Sequence, residues 1–226
     1  MLSFSSLLKT NLQYSLSAEN LFSALSDSGE KYTLFEGTRD IWARDYMPVR
    51  TKSGQYISFR YKPNYVADDP QLRTNFKADI APHFTLPVTY SNINLDGGNV
   101  VFSPSKKKAV ITDRVFSENT EYDKNTLLLE LENLLETEII IIPSLKSDMT
   151  GHADGVVRFV NENTVVGNAS VFCIAKYDPF TTCLITLFYR FICTAFGAQL
   201  LYHISEADLN GDDECDIRGV RFARVL

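Results

Sequence analysis

The chain has 226 residues, of which 45% are apolar and 22% charged, and it carries a net charge of −6. A chain of this length buries a full core, and we read it as one largish domain over residues 1–226; its 15 Phe and 11 Tyr make the interior aromatic-rich, which excludes a disordered chain. The acidic balance, with Lys106-Lys107-Lys108 as the one basic run, argues against a nucleic-acid partner and for a cationic ligand held in a cleft.

Residues 1–9 lack a basic head and have Ser among their apolar positions, so no signal peptide is read there. From Asp45 onward a unit of acid-bearing loop, hairpin, helix and strand recurs roughly every 50 to 60 residues. In the first copy, residues 46–50 and 56–60 read as strands joined by the polar, Gly-ended loop Thr51-Lys52-Ser53-Gly54. A helix is expected near 71–78, then a returning strand over 85–94, with Pro87 marking an edge or a kink. The second copy opens at Asp96, with strands at 100–102 and 109–112 about a Pro-Ser-Lys turn that holds the basic run as a solvated tip. Its helix, 125–136, sets Leu127, Leu128, Leu131, Leu134 and Leu135 on one stripe, with Glu130, Glu132 and Glu136 facing water. The run Ile139-Ile140-Ile141-Ile142 reads as a strand buried on both faces and stopped by Pro143.

The third copy opens at Asp154, with strands over 156–160 and 164–166 about Asn161-Glu162-Asn163, a helix over 180–196 and a returning strand over 200–204. The stretch 180–196 is the most apolar, yet it carries Arg190 and is shorter than the roughly 20 residues of a membrane span, so no membrane partner is expected. A fourth acidic loop, 212–216, leads into a strand over 220–225 without a hairpin partner; such an open edge invites self-association. Cys173, Cys183, Cys193 and Cys215 show neither Cys-x-x-Cys spacing nor a His at zinc-finger distance, which fits reduced thiols in a cytoplasmic protein.

Repeats of this size stack or close into a ring and bring equivalent loops together, so Asp45, Asp96 and Asp154 are expected to meet. An Asx-turn explains any one Asp at a hairpin entrance. Three at matched places, one beside Arg44 and one two residues from His152, point to a site.

Three segments carry a family resemblance. Thr38-Arg39-Asp40-Ile41-Trp42-Ala43-Arg44-Asp45-Tyr46-Met47-Pro48, Leu95-Asp96-Gly97-Gly98-Asn99 and Gly151-His152-Ala153-Asp154-Gly155-Val156-Val157-Arg158-Phe159 resemble, in order and spacing, the signatures of the agmatine deiminase and bacterial-type peptidylarginine deiminase family. The similarity runs from about residue 4 to about 164 and returns more weakly over 197–219. It implies a pseudo-symmetric α/β propeller of five ββαβ units around a substrate channel, of which this chain would hold about three to three and a half. It also implies that Asp45 and Asp154 hold a substrate guanidinium and that His152 is the general acid/base. A cysteine would attack the guanidinium carbon, ammonia would leave, and water would hydrolyse the covalent intermediate. The substrate would be agmatine, giving N-carbamoylputrescine, or peptidylarginine, giving citrulline. Arg60 would hold the substrate's backbone or carboxylate.

These residue types suit that chemistry. A guanidinium stays protonated at neutral pH and offers a planar fork of donors that paired carboxylates bind bidentately. Its delocalised carbon is a poor electrophile, so positioning, a thiolate and an imidazole acid supply the rate. Trp42 either stacks on the guanidinium or packs in the core, and Asp96 shapes its Gly-Gly turn and either supports the site from behind or touches the substrate itself. His83 and His203 lie outside the motifs and read as surface or half-buried residues. No metal or nucleotide cofactor is implied.

The family's nucleophile sits in a Gly-Gly-rich segment ending in Cys, and no such segment precedes Leu226. Cys173, Cys183 and Cys193 read as small buried hydrophobes, and the acidic neighbours of Cys215 disfavour its thiolate. The chain is therefore expected to be C-terminally shortened and without deiminase activity of its own. The alternatives are a non-catalytic remnant that binds a guanidine or polyamine, and a repeat scaffold that pairs its free edge.

Overall fold

The computed structural model describes residues 2–167 and, beyond them, the backbone of four short strands between 191 and 223. The chain clusters into two compact units: Met1–Val49 with Tyr56–Gly97 and Cys193–Ala198, and Arg50–Gln55 with Gly98–Ile192 and Gln199–Leu226.

The first unit opens on β1 (Leu2–Ser5), α1 (Leu7–Thr10), α2 (Ser15–Asp27) and β2 (Tyr32–Phe35). β1 and β2 pair in parallel, which requires a crossover, and α1 and α2 supply it. Rings hold this piece together: Phe22 stacks on Tyr32 at 4.6 Å, Phe4 meets Phe22 edge-on at 5.6 Å, and Lys9 Nζ lies 4.8 Å from the Phe22 centroid. α3 (Ala43–Tyr46), β3 (Val49–Arg50), β4 (Tyr56–Arg60) and β5 (Val88–Asn94) follow, with sheet order β3-β4-β5 and β5 parallel to β4.

Two expectations fail in this unit. The strand over 46–50 shrinks to Val49–Arg50, because Ala43–Tyr46 coil into a helical turn that buries Ala43 and Tyr46 against Phe35, Phe76 and Ile80. The helix near 71–78 is replaced by 3-10 turns at Pro70–Leu72 and Ala81–His83 around a π-helical turn at Phe76–Ile80. Arg73 and Asn75 are extended, and Asn75 Oδ1 accepts from the Ala78 amide at 3.2 Å, so the chain is capped and restarted inside the span instead of running on as one helix; Phe76 and Ile80 still reach the core.

The second unit repeats a hairpin followed by a parallel strand. β6 (Val101–Phe102) and β7 (Lys108–Thr112) are antiparallel; after α4 (Arg114–Ser117) and α5 (Lys124–Leu135), β8 (Glu138–Ile142) returns parallel to β7. Asp123 caps α5, its Oδ1 accepting from the amides of Asn125 at 3.0 Å and Thr126 at 3.1 Å. Leu127, Leu131 and Leu135 are fully buried, and Glu136 ends the helix in the left-handed conformation at φ +55°. β9 (Val157–Asn161) and β10 (Thr164–Gly167) form the third hairpin, and Val101, Val110, Ile140, Ile142, Val157 and Val165 share one core.

Glu136 does not simply face water. Its carboxylate accepts from the amide and hydroxyl of Ser53, both at 2.7 Å, and Glu162 accepts in the same way from Ser105 at the next hairpin tip. Lys106, at φ +56°, donates to the Arg50 carbonyl, so the basic run is a turn, as expected, but a tethered one.

Further along are β11 (Phe191–Cys193), β12 (Ala198–Leu200), β13 (Glu214–Ile217) and β14 (Val220–Ala223). Phe191–Cys193 is a strand where a helix over 180–196 was expected; the rest of that helix and of the strand over 200–204 lies outside the described residues. The strand expected to lack a partner has two: β14 runs antiparallel to β13 and parallel to β10, in the order β13-β14-β10-β9. β14 thus takes the returning place expected of 200–204. The result is an α/β fold with mixed sheets. Among the described residues no helix is long and apolar enough to cross a membrane.

The α5 stripe gives a direct test. Leu131→Ala should destabilise the fold by about 2–5 kcal/mol in denaturant titration. Leu129→Ala, at a position 60% exposed, should stay within about 0.5 kcal/mol.

Candidate active site

In the first unit, carboxylates gather around two phenols. The charges of Asp40, Asp96 and Asp45 all bear on Tyr61, and those of Asp96 and Asp45 on Tyr65; burial first, and these charges with it, push both phenols above the ordinary tyrosine range. Both therefore stay neutral donors. Tyr65 donates to Asp96 Oδ2 at 3.1 Å, and the Tyr61 hydroxyl approaches Asp40 Oδ2 at 3.5 Å. Burial raises the Asp40 carboxyl from 3.8 to about 6, the Asp96 charge adding to it, while the Trp42 amide at 2.9 Å and the Tyr61 hydroxyl oppose the shift.

Local structure explains how these groups come together. Asn94 mimics a strand pair with Lys62, accepting from its amide at 2.8 Å and donating to its carbonyl at 2.9 Å, which lays the segment bearing Tyr61 and Tyr65 beside the strand that leads to Asp96. Asp96 is 2% exposed. The following Gly97 has no left-handed backbone; a Cβ there would lie 2.0 Å from the Arg44 carbonyl oxygen, so glycine is required for the close approach of this loop to the Arg44–Asp45 turn. The Asp96-Gly97-Gly98 sequence is thus a packing requirement as well as a turn.

Trp42 is 65% exposed, so the chain's one tryptophan is not a core residue. Arg60 lines a groove of about 530 Å³ with Tyr61, and four other cations, Arg39, Lys62, Arg73 and Lys77, line it too. Arg39 is bridged by Asp79 at 3.1 Å, and Lys77 lies over the Tyr90 ring.

In the second unit, Gly151 at φ +59° turns the chain into buried His152, and Ala153–Gly155 form a 3-10 turn that carries half-buried Asp154. Asp148 Oδ1 closes the approach, accepting from the amide and hydroxyl of Thr150, both at 2.9 Å.

Asp45 and Asp96 of the expected set thus share a cluster in the first unit, and His152 and Asp154 share a loop in the second. Asp40, Tyr61, Tyr65 and Asn94 were missed. Asp40 and Tyr61 did stand inside or beside motifs, while Asn94 reads in sequence as the end of a strand. His83 is exposed, as expected; Cys173, Cys183 and His203 lie outside the described residues, as do the side chains of Cys193 and Cys215. Among the described residues no group of three or more His, Cys, Asp or Glu is disposed to hold a metal ion. Gly97→Ala should cost about 1–3 kcal/mol of stability or more, read by thermal denaturation, since backbone must give way.

The sequence profile of the Porphyromonas-type peptidyl-arginine deiminases matches residues 13–184. No curated protein sequence matches the chain. Among solved structures, it is similar to a C. jejuni agmatine deiminase with TM-score 0.56 and 15% identity over 73% of this chain and 60% of that one. It is also similar to a putative peptidyl-arginine deiminase with TM-score 0.55 and 16% identity over 74% and 62%. An Enterococcus faecalis agmatine deiminase gives 0.51 and 15% over 69% and 52%. At such identities the likeness speaks for the α/β fold, and the chain spans about 60% of the length of the first of these structures. With its profile matched over most of its length, the chain belongs to the Porphyromonas-type peptidyl-arginine deiminase family.

Proposed function

We propose that the chain is the guanidinium-binding part of a deiminase that hydrolyses a guanidino group to a ureido group. The observation that carries this reading is the gathering of carboxylates in a member of the deiminase family: Asp96 lies 3.1 Å from the Tyr65 hydroxyl, Asp40 lies 3.5 Å from that of Tyr61, and Asp45 stands on the turn against Gly97. Like charges brought together with partial burial cost free energy that a bound cation offsets. The family's motifs assign Asp45 and Asp154 to the planar guanidinium and His152 to protonation of the leaving amine, and exposed Trp42 is free of the core to cover a guanidinium face. Attack on the guanidinium carbon needs a thiolate, and none of the four cysteines lies in a family-like Gly-Gly segment. The 226-residue polypeptide therefore binds the cation without turning it over. Completion of the hairpin-helix-strand units into a five-unit propeller belongs to the same reading.

The groove beside Tyr61 favours a guanidine that also carries a carboxylate, such as a peptide ending in arginine. Agmatine has a second positive charge, which Arg39, Arg60, Lys62, Arg73 and Lys77 would repel.

Calorimetry tests both statements. The peptide should bind more tightly than agmatine, and Asp45→Asn should weaken either by about 10- to 100-fold, the worth of one charge-assisted hydrogen bond. Agmatine binding more tightly would remove the carboxylate preference; heat from neither ligand would overturn the guanidinium site. Ammonia released from either by the purified 226-residue chain would overturn the binding-only reading.

The pH dependence follows from Asp40. Its folded value lies above 3.8, so the folded chain holds a proton there that the unfolded chain has lost, and its contribution to stability declines as pH rises from about 4 to about 6. Above about 6 the carboxylate is charged and attracts a cation. Affinity for a guanidine should therefore rise as pH increases through about 6, and Asp40→Asn should flatten that rise.

A further inference from the structure

We infer that Asn99 and Thr112 are positioning residues that hold the backbone on both sides of His152. The inference rests on the roles just proposed for His152 and Asp154. Both residues are buried, Asn99 at 3% exposure and Thr112 at 0%. Asn99 Oδ1 accepts from the Thr112 amide at 3.0 Å and the Ala153 amide at 3.1 Å, which occupy its two lone pairs. The Thr112 hydroxyl lies 2.9 Å from the same oxygen and 2.8 Å from the Gly151 carbonyl oxygen. A hydroxyl has one proton to give. With Asn99 Oδ1 already supplied, that proton goes to the Gly151 carbonyl.

The two grips fall on residues 151 and 153, immediately before and after His152. Between them the backbone direction of the imidazole is set, and so is the start of the turn that carries Asp154. Thr112 is anchored in its own right as the last residue of β7, opposite Ile142 of β8. The loop is therefore referenced to a central strand instead of to other loop residues. Asn99 closes the motif Leu95-Asp96-Gly97-Gly98-Asn99, and this contact gives its side chain a task in the third family-like segment, more than fifty residues further on. Neither side chain needs to touch substrate. Each acts by keeping His152 and Asp154 in one geometry, where an error of an ångström is costly to a site that works by orientation.

The test uses the 226-residue chain, with the His152 imidazole Cε1–H resonance and agmatine affinity by calorimetry as readouts. Thr112→Val keeps shape and removes the hydroxyl; Thr112→Ser keeps the hydroxyl. Thr112→Val should shift or split the His152 resonance and weaken agmatine binding about tenfold or more, as loss of supporting hydrogen bonds does at other orientation-dependent sites. Thr112→Ser should restore both. Asn99→Ala should behave like Thr112→Val, and Asn99→Asp, which retains an acceptor oxygen, should lie closer to the unaltered chain. A folded Thr112→Val chain with an unchanged His152 resonance and affinity overturns the inference. Should that variant fail to fold, hydrogen exchange of the Ala153 amide in the unaltered chain decides: strong protection supports the clamp, and exchange at surface-loop rates overturns it. Should the unaltered chain bind neither agmatine nor a peptide ending in arginine, the guanidinium reading falls; there, and where the peptide alone binds, the His152 resonance decides whether the clamp exists.

Discussion

Residues Asn94 to Asn99 are each buried, and Gly97 can lie against the Arg44–Asp45 turn only while it lacks a Cβ. A buried stretch rich in polar side chains must find partners for them, because each unmet group costs about 1–3 kcal/mol. Here the partners are what organise the chemistry. Asn94 pairs with the Lys62 backbone, Asp96 receives the Tyr65 hydroxyl, and Asn99 takes the amides of Thr112 and Ala153. Each of the three polar side chains draws a different loop to its place. The packing requirement at Gly97 and the polar satisfaction of its neighbours are thus one constraint.

Stability alone does not account for the acids of the first unit. A carboxylate placed to stabilise a fold is held in its charged form, and its pKa falls; at Asp40 the shift is upward, to about 6, and burial is the largest cause. The neighbouring phenols shift upward as well, which makes them poor anions and dependable donors. Charged near neutral pH despite its burial, Asp40 raises the free energy of the folded chain there, whereas the phenols are neutral in the folded and unfolded states alike. A bound cation would offset that cost, as the proposed guanidinium site requires.

Much of this arrangement was legible in the sequence, for reasons that also explain the rest. The leucine stripe of α5 and the isoleucine run of β8 show because burial on one face or on two leaves a periodic trace. Asp45, Asp96, His152 and Asp154 show because each stands in a short motif. Residues 71–78 misled because their apolar spacing is helical while Asn75, extended and bonded to the Ala78 amide, caps a new turn inside the span, and the chain meets the spacing with a single π turn. Val220–Ala223 looked partnerless because its antiparallel neighbour, β13, falls in an acidic stretch that reads as a loop, and its parallel neighbour, β10, is remote in sequence and leaves no local sign. Asn94, Tyr61 and Tyr65 were hidden for a related reason: their roles are contacts across about twenty to thirty residues, made by side chains that are ordinary where they stand.

The acids at the hairpin tips show the opposite electrostatics. Hydrogen bonds from Ser53 hold the Glu136 carboxyl below its usual range, and those from Ser105 do the same for Glu162. Their contribution is present above the ordinary glutamate range and is lost on acidification, the reverse of the course at Asp40. Both tips use one device, a serine amide and hydroxyl on one carboxylate, yet the two glutamates come from different settings, one ending a helix and one in a turn. Agreement of the contact despite disagreement of its source indicates that the tip geometry is what the repeat preserves. A repeat whose tips are tied by lowered carboxylates can carry raised ones in its loops. Stability and site thereby draw on different acids of the same chain.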